Sequence, residues 1–214
     1  GFFDDLVVPF RGQKRDGILR PDTTLEKLAT LKPAFDKTSG KGTLTAGNST
    51  NLSDGASAAL LSSEEWAQAH GKEIQAYLVD AQVAAIDFVG GEGLLMAPCW
   101  AVAQLLKRNN LSLQDFDFYE IHEAFAAQVL CTLKAWEDEK FCKEKLGLDA
   151  PLGSIDRSKL NVVGSSLAVG HPFAATGARI VATAAKLLKE KGKGRALISI
   201  CTAGGMGVAA IVER

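Results

Sequence analysis

Two apolar runs near the C-terminal end, residues 196–201 and 208–212, are separated only by TAGGMG, and this spacing constrains the fold more than any other feature. Such runs joined by a glycine-rich loop suit adjacent antiparallel strands. Helical periods precede them. Residues 94–108 place Leu95, Cys99, Val102, Leu105 and Leu106 three or four positions apart, residues 123–136 do the same with Phe125, Val129, Leu133 and Trp136, and residues 178–188 with Ile180, Ala184 and Leu187. Short apolar runs at 116–121 and 160–163 alternate with these helices, and residues 74–88 read as strand or strands ahead of Gly90, Gly91 and Gly93. Strands alternating with helices and closed by a hairpin predict a layered α/β domain whose strands are buried.

The first part of the chain has a different texture. Pro9, Gly12, Gly17, Pro21 and Pro33 interrupt any long period in residues 1–52, which predicts an irregular region with one short helix at 24–31. Ser63, followed by Glu65 and Trp66, reads as a helix start, and Gly71 as its end.

Composition narrows the partners. With 47% hydrophobic residues in 214, the chain can bury one sizeable core or two small ones. The net charge of −1 gives no electrostatic reason to expect nucleic acid or an anionic membrane. No run approaches the roughly 20 apolar residues that span a bilayer. Gly1 begins neither a signal peptide nor an initiator Met, so the start is expected to be a cut end. Cys99, Cys131, Cys142 and Cys201 form no CxxC pair and have no histidine at ligand spacing, so no metal site is expected and the thiols read as reduced.

Three polar residues stand where a strand gives way to a helix or loop: His122 in YEIHEAF, His171 in VGHPFAATG and Cys201 in SICTAGGMG. Folds of this class place reactive groups at strand ends, because the sheet fixes the backbone while the tip stays open. A lone histidine is more often a structural hydrogen-bonder. Gly170 and Pro172 shift the balance for His171, since they hold the imidazole on a rigid turn, as a general base requires. Around Cys201 the small residues leave backbone amides free to face a substrate oxygen, although a buried strand cysteine before a hairpin would look the same.

The strings TTLEKLATLKPAF, GNSTNLSDGASA, HEAFA, GHPFAATGAR and CTAGGMG occur in the order, and at roughly the spacing, found in thiolases. Essentially the whole chain resembles that family, as its C-terminal portion. The resemblance implies a thiolase-like layered fold, a mixed sheet with helices on both faces. Residues 1–52 would be the end of the loop region that carries the CoA nucleotide, 53–71 the last strand and helix of the N-terminal domain, and 72–214 the C-terminal domain. Most thiolases have Asn where His122 stands. In that respect the chain resembles the trifunctional-complex β-subunits, which favour medium and long 3-oxoacyl chains.

The resemblance also implies an activity: cleavage of 3-oxoacyl-CoA by CoA to acetyl-CoA and a shortened acyl-CoA, as in fatty-acid β-oxidation. Coenzyme A would be a substrate, with no permanently bound cofactor. His171 would deprotonate the nucleophilic cysteine, and Cys201 would serve as acid and base, a task suited to a thiol whose pKa can approach neutrality. His122 would orient a water or donate to the thioester oxygen. The Ala203 N–H would be an oxyanion donor and Glu123 a supporting hydrogen-bonder, or simply a first-turn carboxylate. Thr50, Ala124 and Phe125 would line the pantetheine channel, with helix core the near-even alternative for Phe125. Residues 11–41 hold eight basic side chains against four acidic ones; Arg15 or Lys14 would meet CoA phosphates, with a solvated charged surface the alternative role for most of them.

None of Cys99, Cys131 or Cys142 carries the nucleophile's motif, so the resemblance places the acyl-accepting cysteine in an N-terminal half outside this chain. The isolated piece would be inactive and would expose apolar surface. Its expected partners are acyl-CoA, CoA, that missing half, further copies in a dimer or tetramer, and a trifunctional α-subunit. The setting would be bacterial cytoplasm, or the mitochondrion in a eukaryote. The contrasting reading is a non-catalytic acyl-CoA-binding or scaffold subunit.

Overall fold

A computed structural model describes residues 1–214. Four strands form one sheet: β1 (Tyr77–Ala85), β2 (Phe118–Ile121), β3 (Arg195–Thr202) and β4 (Met206–Glu213), in the order β1-β4-β3-β2. The hairpin expected from TAGGMG is β3–β4, antiparallel, with Cys201 opposite Gly207. β1 adds antiparallel to β4, and β2 adds parallel to β3, so the sheet is mixed.

Both central strands are buried on both faces, because their residues alternate between two cores. Leu197, Ala209 and Ile211 face a large core with α3 (Pro98–Asn109) and α4 (Ala126–Glu137), built around Leu105, Phe116, Leu133 and Trp136. Ala196, Ile198, Ala210 and Val212 face a smaller one with Ile180, Ala184 and Leu188 of α7 (Thr176–Lys191). Helices therefore cover both sides of the sheet. α3 starts with Pro98, whose missing N–H costs nothing in a first turn, and ends at Asn110 in the left-handed region. At Gly207 a Cβ would lie 2.5 Å from the backbone nitrogen of Pro98, so glycine lets β4 pass under the start of α3.

Short helices complete the chain: α1 (Leu25–Ala29), α2 (Glu64–Ala69), α5 (Glu139–Glu144) and α6 (Ser166–Val169). Thr24 and Ser63 cap α1 and α2 through their side chains, as the sequence suggests for Ser63.

Two expected strands do not form. Residues 160–163 make a single bridge, Leu160 with Tyr119, after a turn at Arg157–Lys159. The reason is Asn161: at φ +47 it leaves extended geometry, and its side-chain amide takes the place of a ladder, accepting from Ile121 N–H at 2.9 Å and donating to Ile121 C=O at 2.9 Å. The strand expected within 53–71 is also absent, and only α2 forms there. Residues 53–62 have no neighbouring strand to pair with, and Leu60 and Leu61 remain 72% and 63% exposed.

Candidate active site

His122 follows β2 directly, and its N–H donates to the Ser199 carbonyl of β3 at 2.9 Å, so the sheet itself carries it. His171 lies on the turn between α6 and α7. The two are brought together by residues 48–52, which thread between their loops. Thr50 N–H donates to the Ala124 carbonyl, Ala126 N–H to Asn48, and His171 N–H to Asn51. Gly170, at φ +80, makes this seam possible: a Cβ there would lie 2.6 Å from both Ile18 Cδ1 and Ser53 Oγ. The imidazole centroids end 4.3 Å apart, with the rings inclined at 46°.

The environments of the two rings differ. His122 is 1% exposed, and burial, then the nearby His171 and Arg179 charges, push its pKa down to about 3. It is neutral at physiological pH. His171 is half-buried; desolvation and then Arg179 lower its pKa, and it opens on a cleft of ≈ 470 Å³ lined by Leu52, Asp54, Pro172 and Phe173 among others. Its Nδ1 lies 2.6 Å from the Thr176 hydroxyl, which in turn reaches the Pro172 carbonyl at 3.4 Å. A hydroxyl that donates to the carbonyl accepts from Nδ1–H, leaving the free lone pair on Nε2.

Cys201 sits at the end of β3, 4% exposed. Burial pushes its pKa up to about 11, against the pull of its own backbone amide and that of Ala124. The expected drift toward neutrality is therefore corrected: this thiol keeps its proton at physiological pH. Ala203 lies exposed in the β3–β4 turn, and its N–H makes no hydrogen bond within the chain, leaving it available to an oxyanion. Glu123 is a clamp: one oxygen accepts from Asn161 Nδ2 at 2.8 Å, the other from Leu167 N–H at 3.0 Å.

The residues assigned to CoA are less convergent. Ala124 and Phe125 stand beside the histidines, half-buried, with Phe125 at the start of α4 edge-on to Phe35 at 5.7 Å. The Thr50 hydroxyl donates to the Ser166 carbonyl at 2.8 Å, so only its lone pairs, as acceptors, remain for a ligand. Arg15 is exposed, without an ion pair, and no contact joins it to the histidines.

Residues 72–214 match the family model "Thiolase, C-terminal domain", and residues 1–65 match "Thiolase, N-terminal domain". The chain belongs to the thiolase family. It is 48% identical over 199 residues to a 3-ketoacyl-CoA thiolase of Shewanella sp. (strain W3-18-1), covering 93% of this chain and 45% of the relative. Human mitochondrial 3-ketoacyl-CoA thiolase in complex with CoA superposes with a TM-score of 0.81 at 35% identity, over 100% of this chain and 49% of that one. The Bacillus anthracis acetyl-CoA acetyltransferase gives a TM-score of 0.79 at 38% identity, covering 100% and 50%. This thiolase chain thus spans about half the length of the relatives it matches.

Several polar residues of the thiolase site escaped the sequence reading. Asn161 clamps both Ile121 and Glu123; Ser166 reaches His122 and is itself held by Arg179, and Thr176 reaches His171. Arg179 and Thr176 lie inside GHPFAATGAR, which was a usable signal. Glu120 is fully buried with neither carboxylate oxygen hydrogen-bonded, and burial raises its pKa to about 8 despite the charge of Arg179. Its place two residues before the histidine, in an alternating strand, says only that it faces α7.

Proposed function

We propose that this chain supplies the acid/base apparatus of a 3-oxoacyl-CoA thiolase working in fatty-acid degradation, and that the acyl-accepting cysteine comes from chain outside these 214 residues. The carrying observation is the neutral histidine pair, one ring buried and one opening on a cleft, with a protonated, buried thiol at the end of β3, the strand paired with β2, which His122 follows. None of the other cysteines stands there. Cys99 is buried on α3 with its pKa raised to about 12, Cys131 is exposed on α4, and Cys142 is buried with its Sγ on the Ala135 and Trp136 carbonyls.

In this reading His171 Nε2 takes the proton of the nucleophilic cysteine as its sulfur attacks the 3-oxo carbon. The C2–C3 bond then breaks, and Cys201 gives its proton to the acetyl-CoA carbanion. A thiol with a raised pKa suits both halves of the cycle. It is fully protonated when an acid is needed, and the thiolate it leaves is basic enough to take the proton of incoming CoA, whose free thiol has a pKa of about 8.5. His122 donates to the thioester oxygen, and the free Ala203 N–H supplements it.

The test is thiolysis of 3-oxoacyl-CoA by the complete protein and by its Cys201→Ser and His171→Ala variants. Each is expected to lower kcat by about 10²-fold or more. Unchanged turnover in either variant would refute the assigned role. Tight acyl-CoA binding without any turnover would favour a binding subunit.

A further inference from the structure

The thiolase reading gives two neighbouring imidazoles opposite tasks, one as base and one as hydrogen-bond donor, yet nothing in the two rings themselves distinguishes them. The distinction lies behind His122. Ser166 Oγ sits 2.8 Å from His122 Nδ1, and Arg179 Nη2 donates to the same oxygen at 2.9 Å. Ser166 is 0% exposed and His122 1%, so water does not compete for these bonds. α6 carries Ser166, its carbonyl held by the Thr50 hydroxyl, and α7 carries Arg179.

Hydrogen counting then leaves one arrangement. A guanidinium has only donors, so Ser166 Oγ must accept from Arg179. The serine's own hydrogen needs an acceptor, and the only partner within reach is His122 Nδ1. Were Nδ1 protonated instead, the serine oxygen would accept twice and its hydrogen would be buried with nothing to receive it, an arrangement native interiors avoid.

We propose that Ser166 and Arg179 form a tautomer lock, holding His122 with Nδ1 as acceptor and its single hydrogen on Nε2. Locked in this way, His122 can donate to a substrate oxygen but presents no lone pair on the substrate side, so His171 alone acts as base. The same guanidinium opposes any second proton on the ring, in keeping with the depressed pKa of His122. Ser166 and Arg179 are positioning residues that act through His122. The catalytic consequence rests on the thiolase reading; the tautomer does not.

The two parts are tested separately on the complete protein, labelled with 15N-histidine. This chain contributes only His70, His122 and His171. Ring nitrogen shifts and two-bond couplings should show His122 as the Nε2–H tautomer, unchanged from pH 5 to 8. Ser166→Ala should convert it to a mixture or to Nδ1–H, and Ser166→Thr should restore it. In thiolysis, Ser166→Ala should lower kcat by about tenfold with little change in KM. An Nδ1–H tautomer in the wild type overturns the lock, and so does an unchanged tautomer in Ser166→Ala. The wild-type spectrum decides even if the alanine variant does not fold. A correct tautomer in a protein that never thiolyses would sink the thiolase reading and leave the lock standing.

Discussion

Of the 45 buried residues, only Ala67 belongs to residues 1–71, whereas α3 alone, 12 residues long, buries Cys99, Val102, Leu105, Leu106 and three more. Residues 72–214 fold around two cores that share a sheet. Residues 1–71 lie over them with Val8 84%, Leu25 81% and Leu52 76% exposed, and are joined to the rest mainly by the seam at 48–55. The difference teaches where function comes from. The second region makes the reactive groups rigid, and the first holds His122 and His171 in register by backbone hydrogen bonds rather than by burial.

Breaking the second region should therefore have the largest effect. Trp136→Ala, removing a fully buried side chain from the larger core, is expected to cost about 3–5 kcal/mol in urea unfolding, against under about 0.5 kcal/mol for Leu25→Ala. Equal costs would erase the contrast.

Next comes pH, through groups the second region buries. The unfolded chain protonates His122 near 6.5 while the folded chain resists until about 3, so that stability is full above pH 6.5 and is lost as pH falls. Glu120 does the opposite: folded, it keeps its proton up to about 8, so its contribution is full below about 4.5 and is lost as pH rises. Between pH 4.5 and 6.5 the two slopes cancel, giving a plateau flanked by losses on the order of 2 kcal/mol. Glu120→Gln should remove the alkaline loss and leave the His122 slope uncompensated below pH 6.5, so that denaturation finds the variant more stable at pH 8 than at pH 5 and the wild type less stable.

The seam offers smaller effects. Gly170→Ala forces a Cβ at positive φ against Ile18 and Ser53, and should cost about 2 kcal/mol while displacing His171. Amide exchange in residues 48–52 should quicken with it. Thr50→Val removes one bond to the Ser166 carbonyl and should cost about 1 kcal/mol in unfolding.

Much of the second region was legible because its periods are unambiguous. The α3, α4 and α7 faces and the β3–β4 hairpin follow from apolar spacing around known breakers. The first region was legible as irregular chain with short helices at 24–31 and after Ser63, which form as α1 and α2, but the strand expected within 53–71 does not form. In the site, His122, His171 and Cys201 stood out because they end strands or sit beside Gly and Pro. Asn161, Ser166 and Glu120 did not, since their roles depend on partners about 40 residues away in sequence or on a burial that no local pattern records. The raised pKa of Cys201 was not legible for the same reason: it comes from the packed sheet, which removes water from the thiol.

The proposal that these 214 residues carry the acid/base groups but not the acyl-accepting cysteine is tested most directly by one paired measurement. The intact mass of the purified protein is determined on the same preparation that is assayed for thiolysis of 3-oxoacyl-CoA. Turnover is predicted only for a species heavier than this chain, trapping its acyl group on a cysteine other than Cys99, Cys131, Cys142 and Cys201. Full turnover by a species of 214 residues, or an acyl group found on one of those four, would contradict the account.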